Sequence, residues 1–308
     1  MTELSGACYQ LGKYDEALAH AHEAYNLAPE DYWVRYFYGS ALCANDKLDE
    51  AAEIFDSIIA CEVDYLAYYE HGEGKMLAES LLNDSRYMRA LIYQQKGNNL
   101  EARDLFQTHK SIRRQGLYSD FSVKQVNAHL KWLDMIIGDT NWDYSISKYS
   151  PQFYDSKAAY IHNEWTSISD IGKSFADGIL TSEEYIEIEN RYINTAIELA
   201  KRAGCSYLTV SYIEGDSTDI VNSVNSLKLN HGLIERAKTI RQGIRIPLND
   251  CPDYLLLCLR ECCWAIFSNM AHNFLVKFGY DYYMYIHTVI PKLQVTEIIN
   301  LNQLYLRP

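Results

Sequence analysis

Small and apolar residues recur through the first hundred positions at a spacing that a lone helix or strand does not explain. Superposing the sequence on itself with an offset of 34 aligns Ser5 with Gly39, Cys8 with Leu42, Ala17 with Ala51, Ala21 with Phe55 and Ala24 with Ile58. A period of this length predicts antiparallel helix pairs, each burying its apolar face by stacking on the next. The small residues let the two helices of a pair approach closely, while Phe55 and Phe106 fill the space between neighbouring pairs. A third copy, Ala90, Tyr93, Gly97, Ala102 and Phe106, keeps the internal spacing after an insertion of about 17 residues. Ser122 to Ile137 is the expected cap: Val123, Val126, Leu130 and Leu133 form an apolar stripe, Lys124, Asn127 and Lys131 lie off it, and Gly138 stops it.

Beyond residue 138 the pattern changes. Residues 139–163, rich in Ser, Asp, Asn and Tyr and containing Pro151, read as a linker. Trp165, Ile168, Ile171 and Phe175 suggest one helix. Thr181 and Glu184 form a capping-box pattern that opens a second, whose apolar face is Tyr185, Ile188, Tyr192, Ile193, Ala196, Ile197 and Ala200, with Gly204 as its stop. Tyr207 to Ile213 alternate as a strand does. Tyr254 to Glu261 reads as a helix, and Cys263 to Ser268 and Phe274 to His287 read as two strands joined across residues 269–273. In the second strand Val276, Phe278, Tyr280, Tyr282 and Met284 would share one face, and Gly279, Asp281, Tyr283 and Tyr285 the other. The expected organisation is therefore a helical repeat domain over residues 1–138, a linker over 139–163 and a small α+β domain over 164–308.

Composition narrows the functional classes. The chain has 308 residues, 48% of them hydrophobic, enough to fill two cores. No stretch reaches the roughly 18 apolar residues that cross a bilayer, and Met1 to Gly12 lacks the basic start and apolar run of a signal peptide. A cytoplasmic protein without membrane contact is expected. Its eight cysteines sit on apolar faces, where a reduced thiol acts as a small hydrophobe, and a disulfide framework is not expected. The formal charge is −13, and residues 1–64 hold thirteen acidic side chains against Lys13, Arg35 and Lys47, a local −10. This field disfavours nucleic acid and anionic membrane and favours a basic partner; acidic residues also simply keep repeat proteins soluble.

Few side-chain patterns point to chemistry. Gly72-Glu73-Gly74-Lys75 lacks the glycine at Tyr69 and the Ser or Thr at Met76 that a phosphate loop requires. Cys251, Cys258, Cys262 and Cys263 contain no CxxC pair, and His20 and His22 point to different sides of a helix, so neither set is expected to hold a metal. No nucleophile elbow or HExxH is present. Asp281, Glu214 and Glu261 lie near expected element ends, where carboxylates are usually solvated or paired. No catalytic residue, cofactor or metal is assigned.

The residues Leu4, Ser5, Cys8, Ala17, Ala21, Ala24 and Pro29, with the turn Gly12-Lys13-Tyr14-Asp15-Glu16-Ala17, make the first part similar to the tetratricopeptide repeat family. The second repeat departs from it at Val63, where proline is usual. The resemblance implies a mainly α protein, a tetratricopeptide-type α-solenoid followed by the α+β domain, whose repeat surface binds another protein. Members that clamp chaperone C-termini use a lysine and an asparagine where this chain has Thr2 and Gly6, which disfavours that ligand. In the second half, Ile171 to Phe175, Leu180 to Tyr185, Leu259-Arg260-Glu261 and Phe278 to Tyr285 resemble bacterial immunity proteins of polymorphic and contact-dependent toxin systems. That resemblance implies an inhibitor of a cognate toxin, for which a basic toxin domain would suit the acidic repeats. A general tetratricopeptide adaptor or scaffold is the alternative, and an enzyme in the α+β domain the next. The expected partner-binding residues are Arg35, Tyr36, Tyr38, Arg86 and Tyr93 in the repeats, and Tyr283 and Tyr285 on the Tyr-rich strand, which offers rigid contact area with polar tips.

Overall fold

A computed structural model describes residues 2–113, 116–138, 142–157, 159–227, 229, 232–269 and 271–307. The chain divides into two compact units, residues 1–137 and 138–308.

The first unit is all helix: α1 (Thr2–Gln10), α2 (Tyr14–Leu27), α3 (Tyr32–Ala44), α4 (Leu48–Ile59), α5 (Val63–Tyr68), α6 (Lys75–Gln95), α7 (Asn99–Arg113) and α8 (Val123–Gly138). Helices pair as the period requires, α1 with α2, α3 with α4 and α6 with α7. Each pair turns on a residue with left-handed backbone angles: Gly12 (φ 73), Asp46 (φ 57) and Gly97 (φ 78). Position 46 is position 12 advanced by the repeat length, so the period is written into the backbone as well as into side-chain size. At the crossing of the first pair the Ser5 hydroxyl donates to the Ala17 carbonyl at 2.8 Å. At the equivalent place in the second pair, a Cβ on Gly39 would lie 2.9 Å from Cζ of Phe55; in the third the residue is Ala90, fully buried. Small residues at this position are therefore a packing requirement. Phe55 and Phe106 are completely buried in one continuous core, which Val126, Leu130 and Leu133 of α8 extend.

The insertion before the third copy has a definite form. It supplies α5 and lengthens α6 to 21 residues against 15 in α7. Both helices of the third pair thus have ordinary repeat packing at their common end, while the early turns of α6 lie against α5.

The second unit is an antiparallel sheet with helices packed into its core. Its strands are β1 (Tyr144–Ser147), β4 (Tyr207–Glu214), β5 (Arg245–Pro247), β6 (Trp264–Ser268), β7 (Phe274–Phe278), β8 (Met284–Thr288) and β9 (Tyr305–Leu306), in the order β5-β4-β6-β7-β8-β1-β9. A separate two-residue hairpin joins β2 (Ser174–Phe175) and β3 (Gly178–Ile179). The helices are α9 (Ser182–Arg202), α10 (Ser217–Ser226), α11 (Leu233–Thr239), α12 (Cys251–Leu259) and α13 (Lys292–Leu301). Tyr185, Tyr192 and Leu199 from one face of α9 meet Leu208, Val210, Phe267, Val276 and Ile286 from one face of the sheet.

Several expectations are corrected here. Residues 139–163 are not a linker: β1 lies between β8 and β9, with Ile146 fully buried, and Tyr154 bridges to Tyr160. Their polar composition misled because Ser145 and Ser147 occupy the sheet face opposite Ile146. Asp139, Thr140, Asn141, Ala158 and, in the expected 269–273 connection, Met270 lie outside the described residues. Trp165 to Phe175 is not a helix but a single 3-10 turn at Ile168–Asp170 followed by β2; the Asp170 carboxylate accepts the Thr166 and Ser167 backbone N–H groups and closes the turn. The expected strand from Phe274 to His287 is broken between Gly279 and Tyr283, so its faces do not run through. Asp281 and Tyr282 take left-handed angles (φ 55 and 61) and fold β7 back on β8, placing Lys277 opposite Tyr285. Such angles are costly for tyrosine. They are offset by burial of the ring, a hydrogen bond to the Tyr185 hydroxyl, and a bond from the Tyr192 hydroxyl to the Tyr282 carbonyl at 2.5 Å. The helix starting after Thr181 forms as expected, its hydroxyl accepting the Glu184 N–H at 3.1 Å.

Candidate functional site

Tyr87, Phe106, Phe121, His109 and His129 form one aromatic group of the first unit, on α6, α7, α8 and the segment before α8, and two more lie on α3 and its neighbours. Arg35 belongs to the first of these two. Its guanidinium lies over the Tyr32 ring at 4.7 Å, donates to the Pro29 carbonyl at 2.6 Å, and pairs with Glu30 at 3.3 Å. Tyr32 meets the edges of Tyr65 and Tyr69, and Tyr69 in turn meets His71. Asp31 holds this group together by capping α3 with bonds from the Trp33 and Val34 N–H groups and by accepting from the Tyr69 hydroxyl. Tyr38 belongs to the second group, stacked on Tyr25 at 4.8 Å beside His22. Burial raises the pKa of the Tyr38 phenol, with the Glu50 carboxylate adding to it.

The remaining expected residues divide. Tyr36 is only 5% exposed and packs edge-on to Phe55, so it serves the core instead of a partner. The Tyr93 ring is covered at 4.0 Å by Arg89, which is itself paired with Asp56 at 2.8 Å. Arg86 lines a cleft with Val63, Met76, Glu79, Leu82, Ile112, Gly116 and Leu117, and burial lowers its pKa from the ordinary guanidinium value. The structure therefore brings Arg35 together with tyrosines of the insertion, and leaves Arg86 in a separate pocket.

The sequence marked the insertion only as a break in the repeat, and no partner-binding residue was expected within it. Residues 62–74 expose Tyr65 (57%) and Tyr68 (74%) among Glu62, Asp64, Glu70 and Glu73. The signal was present as a tyrosine and glutamate bias in the segment that broke the repeat, a place where helix packing does not dictate residue type. Of these carboxylates, Asp64 is paired with Lys75 at 2.7 Å. Charge also divides within the unit: residues 65–137 hold ten Lys and Arg against eight Asp and Glu, a net +2, beside the −10 of residues 1–64.

In the second unit, Tyr283 and Tyr285 make contacts within the fold. The Tyr283 hydroxyl lies 3.1 Å from that of Tyr154, and its ring meets Tyr149 and Arg307. Lys277 sits between the rings of Tyr285 and Trp142, and Gly279 has no side chain because a Cβ there would lie 2.7 Å from the Tyr285 ring. His287 Nδ1 pairs with Asp143 at 2.7 Å. Both tyrosines are half-buried.

The second unit also encloses charges. Lys148 is buried between the rings of Tyr149 (4.3 Å) and Trp165 (4.1 Å) and pairs with Glu164. Burial pulls its ammonium down to about 8 against the opposing pull of Glu164. The Tyr160 hydroxyl donates to the other Glu164 oxygen at 2.6 Å, so the carboxylate is fully engaged. Arg260 and Glu189 form a buried two-bond pair at 2.7 and 2.6 Å. Glu261, with left-handed backbone angles (φ 59), has its carboxyl raised by burial and by Asp281 and Asp170. The Glu214 carboxylate accepts from the Tyr212 hydroxyl. These groups build no nucleophile, base and orienting residue in mutual contact. Among the described residues no three His, Cys, Asp or Glu side chains come together as a metal site. Burial raises the thiols of Cys43, Cys251 and Cys262 to about 12, the condition of inert core cysteines.

A family model for the tetratricopeptide repeat matches residues 9–71, from the end of α1 through α5. In comparisons with curated proteins and with solved structures, nothing matches the chain. Residues 9–71 are thus of the tetratricopeptide type, a repeat whose stacked helix pairs present extended surfaces to other proteins. No helix among the described residues is long and apolar enough to cross a membrane.

Proposed function

We propose that the protein is a tetratricopeptide adaptor whose first unit, built as a repeat solenoid, grips a basic segment of a partner protein. The observation that carries this is the exposed pair Tyr65 and Tyr68 set among four carboxylates in the insertion that interrupts the repeat. Tyrosine faces attract guanidinium and ammonium groups, and the surrounding carboxylates supply long-range attraction and pairing. Arg35, held by Glu30 and Tyr32, positions the neighbouring rings. Tyr38 and the exposed Phe37 extend the aromatic surface along α3. The half-buried Tyr283 and Tyr285 remain candidates for a secondary contact.

The expectation that the partner is a toxin domain rests on the resemblance of residues 171–285 and on charge. No feature of the site selects a toxin over another basic protein, so adaptor is the reading adopted. For the enzyme alternative no assembled site stands among the described residues, and it is not the reading adopted. The test is photo-crosslinking in cells of the source organism, with a benzoylphenylalanine placed at Tyr68 and, as a control, at the exposed Asn194 of α9. A protein adduct specific to position 68, and lost when Glu62, Asp64, Glu70 and Glu73 are changed to Lys, supports the proposal. Adducts equal at both positions, or insensitive to the charge change, refute it.

A further inference from the structure

We propose a second recognition site on the first unit: the cleft beside Arg86 takes an apolar segment of a partner protein and fixes it through an Asp or Glu side chain. The inference rests on the first unit being a protein-binding region, but it uses different side chains from the acidic, tyrosine-rich insertion.

The cleft is a product of the insertion. Because α6 is longer than its partner α7, its turns bearing Met76, Glu79, Leu82 and Arg86 face Val63 at the start of α5 and Gly116 and Leu117 beyond α7. These four positions recur at helical spacing and so share one side of α6. Val63, Ile112 and Leu117 form the opposite wall, leaving a space of about 460 Å³. Peptide side chains of two or three residues fill a volume of this order.

Arg86 is the anomaly in this space. Arginines of the first unit such as Arg35, Arg89 and Arg103 each meet a carboxylate. Arg86 has none within ion-pairing distance among the described residues, although it is half-buried and its ordinary pKa is depressed by desolvation alone. A guanidinium that has lost part of its hydration without gaining a carboxylate is held at a cost that a planar, two-pronged anion would remove. Glu79 does not fill that role: it lies seven residues earlier, roughly 10 Å along the helix axis, and is exposed. It leaves the far end of the cleft negative, which orients a ligand with its own carboxylate toward Arg86. The apolar walls select a carboxylate flanked by hydrophobic residues over a hydrated phosphate, and the net +2 of residues 65–137 tolerates an acidic ligand where the −10 of residues 1–64 would repel one.

The test uses the full-length chain. A library of random heptapeptides displayed between fixed flanks, so that no free C-terminus is offered, is selected on the wild type and on Arg86→Gln. The wild type is expected to enrich Asp or Glu beside apolar residues, and Arg86→Gln to lose the acidic preference. The best peptide, synthesised with blocked ends and titrated calorimetrically, should bind at least tenfold more weakly to Arg86→Gln, and equally so when its acid is changed to the amide. Arg86→Glu should restore binding to the peptide carrying Lys in place of its acid; this exchange separates recognition from a folding defect, which circular dichroism monitors. Failure to enrich any acidic motif, unchanged affinity in Arg86→Gln, or competition by inorganic phosphate as strong as by the peptide overturns the proposal. The two readings fail separately: a Tyr68-specific adduct without any acidic peptide motif sinks only the cleft reading, and peptide binding without a Tyr68-specific adduct in the wild type sinks only the acidic-surface reading.

Discussion

The helix crossing at Gly39 makes a prediction whose sign depends chiefly on one ring. At Gly39 a Cβ would stand 2.9 Å from Cζ and 3.1 Å from Cε2 of Phe55, and 3.1 Å from Cγ2 of Ile54. Ordinary carbon contacts are about 3.5–4.0 Å, so Gly39→Ala forces the ring or the helix to shift by several tenths of an ångström. Phe55 is completely buried, and overpacking of this kind costs about 1–3 kcal/mol. Against this, replacing glycine within a helix gains about 1 kcal/mol of backbone entropy and propensity. The net expectation is a loss of up to about 2 kcal/mol. Phe55→Leu removes the two ring atoms, leaving the 3.1 Å approach of Ile54 Cγ2 on a side chain that can give by a few tenths of an ångström, at a cost on the order of 1–2 kcal/mol for lost burial. In that background Gly39→Ala should become stabilising by about 0.5–1 kcal/mol, giving a coupling energy near 2 kcal/mol between the two positions. Urea unfolding followed by circular dichroism at the helical band, on wild type, both single variants and the double variant, measures all four corners. A coupling below ~0.5 kcal/mol would mean that α3 and α4 do not cross as described, and the repeat packing argument would fall.

Other outcomes follow from the same structure. Arg260→Met should cost about 3–5 kcal/mol by leaving Glu189 buried without its cation, and Glu189→Leu added to it should recover most of that loss; chemical denaturation of the pair of variants decides. Lys148 has a folded pKa near 8 against about 10.5 when unfolded, so between these values the unfolded chain holds more protons and stability rises with pH, by up to roughly 3 kcal/mol. Above pH 10 the trend reverses, because burial holds the Tyr185, Tyr192 and Tyr282 phenols above their ordinary values and only the unfolded chain ionises them. Unfolding measured from pH 7 to 11 should show this maximum in the wild type and lose the rising limb in Lys148→Met. Asp46→Val should destabilise the first unit by about 1–2 kcal/mol, since a β-branched residue is strained at φ 57, and its thermal midpoint reports it.

The two units were unequally legible in the sequence. The repeats could be read because one length recurs, and three features repeat with it: a small residue at the helix crossing (Ser5, Gly39, Ala90), a left-handed turn residue (Gly12, Asp46, Gly97) and an aromatic between pairs (Phe55, Phe106). In the second unit α9 and β4 announced themselves through a cap at Thr181, a stop at Gly204 and clean alternation from Tyr207, and α12 and β6 were legible as an apolar helix and strand either side of Arg260 and Glu261. The hairpin between β7 and β8 was invisible because its turn uses Asp281 and Tyr282 where Asn and Gly would have signalled it. Long-range bonds tie that turn down, the Tyr282 hydroxyl donating to Tyr185, the Tyr192 hydroxyl to the Tyr282 carbonyl and the Tyr149 hydroxyl to the Asp281 carbonyl, and such contacts leave no mark in local sequence. The same reason hid β1, a four-residue strand whose neighbours β8 and β9 lie more than a hundred residues away. Of the expected binding residues, Tyr36 failed because two residues of the same type and spacing on one helix, Tyr36 and Tyr38, face the core and the surface respectively. Arg86 could be named from sequence, but the cleft around it, and the absence of a paired carboxylate among the described residues, required coordinates.

The account stands most directly on binding by the first unit. Once the crosslinked partner is purified, calorimetric titration against the wild type and against Tyr65→Ala/Tyr68→Ala separates its central claim from all others. The expected result is at least a tenfold loss of affinity in the double variant, with unchanged helical content and a wild-type affinity that weakens steeply between low and moderate salt. Equal affinity in the two proteins, or binding indifferent to salt, contradicts it.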